Sequence, residues 1–381
     1  MSSDVLSVRR LNRATLDRQG LLQRRIGGPA DVIGHLAGLQ AQHANQPYIA
    51  LWSRMADLTR ADLQGALERR SVVRATVMRS TLHLVASADF TVYDSAAGAS
   101  RMAVWAPTAR KAGFDHAALH RALLDYCDEP RSIEEMETHL ETVLDGQAVA
   151  KHVPAGVRRA VFRIASAGGG LVHVPPSGFW GEHGKNRYVA AAAWLGDRGA
   201  PIDPDTARET AVLRYLGAYG PASTADIQQW LGQARIGVIR STIESLGNRL
   251  RSYRGDDGRD LLDLADATAA REDAAAPPRF LSRWDSVLIS YDVRDRILPK
   301  TIRAAVVKKN GDFLPTFLID GFVAGLWSAS NAKGAATIEL APFGKVPAAD
   351  RKALEAEADR LLHFIDPDAT AHDVRWAGVA T

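Results

Sequence analysis

The chain has 381 residues, with 46% hydrophobic and 24% charged residues and a formal net charge of +3, which suits a soluble protein of two or three domains. Its one cysteine, Cys127, excludes an intramolecular disulfide and any zinc site built on several thiolates. No apolar run approaches the roughly 18–20 residues of a membrane span, and "MSSDVLSVRRLNR" has no signal-peptide core, so a cytoplasmic protein without membrane partners is expected.

The charge is unevenly spread. Residues 1–114 carry 15 Lys/Arg against 8 Asp/Glu, residues 115–150 carry 2 against 9, and residues 151–200 carry 7 against 2. Basic blocks mark a polyanion-binding face or simply solvate helix surfaces. "GGGLVHVPPSGFWGEHG" is glycine-rich, but it lacks the strand–Gly–helix order of a phosphate-binding loop.

In chain order, "LNRATLDRQGLLQRR" (11–25) has apolar residues at helical spacing. "PADVIGHLAGLQ" (29–40) opens with a proline suited to a helix start. "TRADLQGALERR" (59–70) carries a Thr-x-x-Asp cap and reads as a third helix. "SVVRATVMRSTLHLVAS" (71–87) is rich in Val and Thr and reads as a β-ribbon. Three helices and a ribbon are the layout of a winged helix-turn-helix.

The layout returns twice. Helices are expected at 114–127, 132–140 and 153–169, followed by a wing from "LVHVPP" to "RYVAAA". A third pass has helices at 205–220, 223–232 and 234–248 and a hairpin turning at Asp257-Gly258. After a linker at 271–278, "SVLISY", "AAVVKK", "FLPTFLI", "FVAGLWSA" and "AATIELAPF" read as strands, "KKNGDF" as a hairpin turn, and 347–364 as a closing helix. The expected fold class is α+β: three tandem winged-helix units (1–113, 114–200, 201–270) and a C-terminal β-rich platform (279–381).

"LNRATLDRQGLL", "GLQAQHANQPYIALWSR" and "MRSTLHLV", followed by "YGPASTADIQQWLG", "RWDSVLISYDVRDRIL" and "PTFLIDGFVAGLW", resemble the AlkZ-type winged-helix DNA glycosylases in order and over nearly the whole chain. The resemblance implies tandem winged helices around a DNA channel. It implies hydrolysis of the N-glycosidic bond of alkylated purines, chiefly N7-alkylguanines. One branch of the family, in antibiotic producers, unhooks interstrand crosslinks or removes bulky adducts as self-resistance. The family's catalytic motif, Gln-x-Gln, falls on Gln40, Ala41 and Gln42. The implied partner is double-stranded DNA carrying alkylated purines; a monomer is the default expectation, since a three-unit channel needs no partner, and a nucleoid-associated location is expected. No cofactor and no metal are called for.

Glutamine is a neutral amide and a weak base. An N7-alkylguanine is already a cationic leaving group, so the chemistry needs a positioned water and a stabilised oxocarbenium-like sugar, and amide oxygens supply both. On a regular helix Gln40 and Gln42 would point about 200° apart, so the helix is expected to break at Gln40–His43. The alternatives are two surface amides, or Gln reading adenine in a major groove as part of a winged-helix transcriptional regulator.

Strand alternation sets His83 on the face opposite Leu82 and Leu84, making it a candidate for the channel. His43, Asn45 and Gln46 flank the motif, and Trp52 reads as core. Arg74, Arg79, Arg158, Arg159, Arg163, Lys185 and Arg187 are the expected phosphate contacts. Lys308 and Lys309 are further candidates, and Phe179 and Trp180 form a candidate wedge at a wing tip.

Overall fold

Three reciprocal caps set three helix starts. Thr59 with Asp62, Ser132 with Glu135 and Ser223 with Asp226 each exchange side-chain and backbone hydrogen bonds, satisfying N–H groups that a helix leaves orphaned. The computed structural model describes residues 5–144, 159–184, 186–233, 235–268 and 270–378. The described fold is mixed α+β.

The chain begins with β1 (Val5–Leu6) and α1 (Val8–Arg18). A helix–strand–helix–helix–strand–strand order follows: α2 (Pro29–His35), β2 (Leu39–Gln40), α3 (Gln46–Arg54), α4 (Arg60–Glu68), β3 (Val72–Thr76) and β4 (Leu82–Ala86). After the long α5 (Phe90–Lys111) the order returns as α6 (His116–Tyr126), β5 (Arg131–Ser132), α7 (Ile133–Val143), α8 (Ala160–Ser166), β6 (Leu171–His173) and β7 (Arg187–Ala190). The short α9 (Ala191–Leu195) leads to a third pass: α10 (Pro204–Tyr219), α11 (Thr224–Leu231), α12 (Ile236–Leu246), β8 (Leu250–Gly255) and β9 (Asp260–Leu264). There a single bridge from Ala222 to Leu262 takes the place of the first strand. The C-terminal part holds β10 (Arg279–Leu281), α13 (Ser286–Ile289), α14 (Arg303–Val306), β11 (Thr316–Ile319), β12 (Phe322–Ala332), β13 (Ala335–Pro342), α15 (Ala348–Ile365) and β14 (Ala371–Trp376).

The strands form three sheets, ordered β1-β8-β9, β10-β11-β12-β13-β14 and β2-β4-β3-β6-β7-β5. In the last of these, the hairpins of the first two passes join edge to edge, with Arg74 opposite His173 and Ala75 opposite Val172. Both faces of this sheet's β3–β4 hairpin are packed. Val73, Ala75 and Val85 share a core with Tyr215, Tyr219 and Trp230 of the third pass. Val72 and Leu84 share another with Leu36, Leu51 and the C-terminal Phe317, Trp327 and Leu361. The N-terminal α1 is tied across the molecule: Arg18 pairs with Asp263 at 2.8 Å, and Asn12 donates to the carbonyls of Arg296 and Gly321.

Several expectations shift. The helix expected over 11–25 ends at Arg18, and the one expected over 29–40 ends at His35. α3 and α5 are helices that the sequence patterns left unassigned. "SVLISY" and "AAVVKK" contain the short helices α13 and α14 rather than strands. At α13 the reason is local: the Asp285 carboxylate accepts from Val287 N–H at 3.1 Å and caps a helical turn. Of the helix expected over 153–169, the described portion is α8.

Candidate active site

β2 exists because α2 cannot continue. Ala37 and Gly38 both take left-handed backbone conformations, with φ of 56° and 88°, and such residues end helices. A Cβ on Gly38 would come within 3.1 Å of Val85 and 3.3 Å of the Leu84 carbonyl, so a side chain there would crowd β4 as well as strain the left-handed backbone. β2 pairs antiparallel with β4, Gln40 opposite His83. Ala41 prolongs the ladder by donating its N–H to Leu82 O at 2.7 Å.

Gln40 thus closes the strand, and Gln42 lies in the bend just beyond it, past the last ladder hydrogen bond at Ala41. Their amide oxygens lie against consecutive residues of the facing segment. Gln42 Oε1 accepts from the Leu82 N–H at 2.9 Å, and Gln40 Oε1 lies 3.4 Å from Thr81 Oγ1, whose one proton is shared with the nearer Met78 O at 3.1 Å. Their exposure differs. Gln42 is exposed and lines a cavity of about 360 Å³, whereas Gln40 is buried behind it.

Arg79 holds Gln40 from behind. It sits in the β3–β4 turn in a left-handed conformation and turns inward. Its Nη1 donates to Trp230 O at 2.8 Å, and its Nη2 donates to Gln40 Oε1 and His83 Nε2, each at 3.0 Å. Gly232 makes this approach possible, because a Cβ there would lie 2.7 Å from the Arg79 backbone. Burial lowers Arg79 to about 10, which leaves it a cation at neutral pH. The half-buried guanidinium is therefore spent on an internal tie, where its place on the ribbon led one to expect a phosphate contact.

His83 is corrected in the same way. Thr81 O can only accept, so Nδ1 carries the proton at 2.9 Å and Nε2 accepts from Arg79. Burial, and then the Arg79 charge, push His83 down to about 3, so the ring is neutral. The channel expectation rested on one face of β4 being core. Both faces are core, and it is Leu82, at the strand's start, that lines the cavity.

Arg74 is also turned inward, 6% exposed, with its donors on Ala41 O, Ser177 Oγ and Asn186 Oδ1. It has no surface from which to reach a phosphate. Arg158 and Lys185 lie outside the described residues. Arg187 is exposed, donating to Pro130 O at 2.5 Å and facing Glu135 at 3.3 Å. Arg159 and Arg163 both line the cavity beside Gln42, and Arg159 also pairs with Glu134 at 2.5 Å.

The flanking candidates are structural in their contacts. His43 stacks on Trp284, Asn45 Oδ1 accepts from Gly181 N–H at 2.7 Å, and Gln46 Oε1 accepts from His43 N–H at 3.1 Å. Trp52 is core. Phe179 and Trp180 fold back onto the first pass and α15, with Arg60 4.1 Å above the Trp180 ring, and so do not form an exposed wedge. Lys308 and Lys309 are exposed at their turn.

The larger side chains of the remaining cavity wall come from residues that the sequence patterns did not reveal, among them Arg101 and Trp105 of α5, Phe162 of α8, and His173 and Tyr188 of the second hairpin. Arg101 is paired with Asp94 at 2.6 Å. Among the described residues no carboxylate lines the cavity. None of the described residues forms a group of three or more His, Cys, Asp or Glu placed to hold a metal, and no described helix is long and apolar enough to cross a membrane.

The cavity brings arginines, aromatic rings and the Gln42 amide together, with no described carboxylate among them. The match to the family "DNA glycosylase AlkZ-like" spans residues 33–364, and the chain belongs to that family. The interstrand DNA cross-link repair glycosylase of Streptomyces sahachiroi is 28% identical, over 96% of this chain and 95% of that protein. The solved structure of Streptomyces sahachiroi DNA glycosylase AlkZ has a TM-score of 0.80 against this chain at 24% identity, covering 98% of this chain and 100% of that one, so the fold is shared. The chain is a DNA glycosylase, and the transcriptional-regulator alternative falls away.

Proposed function

We propose that this glycosylase hydrolyses the N-glycosidic bond of bulky N7-alkylated guanines or interstrand crosslinks in double-stranded DNA. It works as a monomer without a cofactor, and Gln42 is the group that meets the reacting centre. The three passes are tandem winged helices, bounded near residues 113, 200 and 270, with the β-rich platform following. The observation that carries this reading is the amide of Gln42, exposed on an arginine-bearing cavity that no described carboxylate lines. The printed activity of the Streptomyces sahachiroi relative, interstrand DNA cross-link repair, supports the lesion class.

The chemistry follows from the donor set. A cationic N7-alkylguanine departs without a general acid, so the neutral His83 is no handicap. Leu82 N–H occupies one lone pair of Gln42 Oε1. The second lone pair orients a water toward C1′, and the amide dipole opposes the positive charge developing on the sugar. Gln40 acts behind it, its oxygen held by Arg79. Arg159 and Arg163, with Arg158, Lys185 and Arg187 of the same unit, engage phosphates without reading sequence.

Single-turnover excision from a duplex carrying N7-methylguanine or a bulky N7 adduct, scored by alkaline cleavage of the abasic product, tests the reading. Gln42→Ala is expected to slow excision by about 100-fold or more while duplex affinity stays within about twofold. Release at the wild-type rate by Gln42→Ala would sink the proposal.

A further inference from the structure

We infer that Arg74 is a positioning residue for excision: it clamps the Ala41 peptide, and through it aims the Gln42 amide, against the hairpin of the second pass. The inference rests on Gln42 being the group at the reacting centre.

Arg74 Nε and Nη2 both donate to Ala41 O, at 3.2 and 2.9 Å. That carbonyl belongs to the peptide plane whose nitrogen is Gln42 N, so holding the oxygen fixes the plane from which the Gln42 side chain springs. The preceding peptide is fixed independently by Ala41 N–H on Leu82 O, and the far end of Gln42 by Leu82 N–H. Without the Arg74 clamp, the plane between these two anchors is the part left to rotate.

The other end of the guanidinium is anchored on the second hairpin. Nη1 donates to Ser177 Oγ at 3.0 Å and reaches Asn186 Oδ1 at 3.4 Å. The Ser177 hydroxyl gives its one proton to Asn186 Oδ1 at 2.9 Å, so its oxygen accepts from Arg74 and from His173 Nδ1. The β3–β6 register sets Arg74 directly opposite His173. The clamp is therefore built on the strand pairing that joins the two hairpins, and it ties the Ala41–Gln42 segment to the wall of the cavity.

A merely structural tie would be cheaper to make with a neutral donor. Arg74 is buried, none of its hydrogen-bond partners is a carboxylate, and burial holds its pKa below the usual arginine value. An uncompensated guanidinium is retained here for what its rigid fork does: two donors on one oxygen and a third across the hairpin.

The test measures single-turnover excision of N7-methylguanine, and duplex affinity across a salt series, for Arg74→Met, Arg74→Lys, Gln42→Ala and the Arg74→Met/Gln42→Ala pair. Arg74→Met is expected to slow excision about 10- to 100-fold, with affinity and salt slope unchanged. Arg74→Lys recovers part of the rate, since an ammonium reaches Ala41 O but cannot hold both anchors. The pair is no slower than Gln42→Ala alone, because both changes remove one effect. Wild-type excision by Arg74→Met beside an inactive Gln42→Ala overturns the inference and leaves the Gln42 reading standing. So does a pair slower than Gln42→Ala by the full Arg74→Met factor, or a weakened affinity with a reduced salt slope, the mark of a phosphate contact. An active Gln42→Ala defeats the Gln42 reading itself. Should Arg74→Met not fold, Ser177→Ala/Asn186→Ala decides: it frees one end of the clamp and is expected to slow excision several-fold at unchanged Tm. The wild-type rate in that variant overturns the inference.

Discussion

Acidifying the protein from about pH 7.5 to about pH 5 measures what the burial of His83 costs. The ring is 2% exposed, and its value is pushed from 6.5 down to about 3 by burial and by Arg79. The sign follows directly. A histidine depressed in the fold stays neutral there, while the unfolded chain binds its proton as pH drops through 6.5. The unfolded state then holds more protons, so stability is complete above the unfolded value and is lost as pH falls from 6.5 toward about 3. At about pH 5 the unfolded ring is almost wholly protonated and the folded ring almost wholly neutral, a difference near 1.5 pK units, or about 2 kcal/mol. Any folded value below about 4 gives nearly the same number. His35, His43, His120 and His173 are also lowered and act in the same direction, so the His83 share must be isolated by substitution. Gln at position 83 keeps a donor and an acceptor for Thr81 and Arg79 and does not titrate. Urea midpoints and slopes at both pH values, for wild type and His83→Gln, provide the comparison. The variant is expected to lose about 2 kcal/mol less than wild type on acidification. Equal losses would show that the ring is not held neutral, and the network of Gln40, Arg79 and His83 would have to be redrawn.

Two other substitutions probe the supports of the site. Arg54 and Asp285 are both fully buried and joined by two hydrogen bonds of 2.5 and 3.0 Å. Asp285→Ala strands the guanidinium and is expected to cost about 3–5 kcal/mol, most of it regained in Arg54→Met/Asp285→Leu, as read from thermal or urea denaturation. Gly232→Ala is expected to cost at least about 1–2 kcal/mol for its left-handed backbone alone, and more because the new Cβ would meet the Arg79 backbone. An unchanged urea midpoint would refute that close approach.

Where a side chain's partner lies within a few residues, the fold was legible. The Thr59, Ser132 and Ser223 caps and the Asp257-Gly258 turn are short-range chemistry, and helices and hairpin stand where they indicate. Where tertiary contacts decide, it was not. α5 buries residues around much of its circumference, Phe90, Val92, Tyr93, Ala96 and Ala97 among them, so no apolar stripe announces it. "SVLISY" and "AAVVKK" are short apolar runs, and period alone does not separate a short buried helix from a strand.

At the site, the identity of the motif was readable and the direction of its charges was not. A sequence shows that an arginine lies on a ribbon, but not whether the ribbon has an open face. Here the β3–β4 hairpin is packed on both sides, so Arg74 and Arg79 turn inward and act on Ala41 and Gln40, while Arg159 and Arg163 remain on the cavity. The backbone resolves the spacing of the glutamines. On a helix, residues two apart would diverge. Ala37 and Gly38 end the helix before the motif, the short strand that follows carries Gln40 to Thr81, and the bend after it sets Gln42 on Leu82. The signal was present in "LAGLQ": a glycine two residues ahead of the first glutamine is a helix stop, and the Gln-x-Gln after it then lies off the helix.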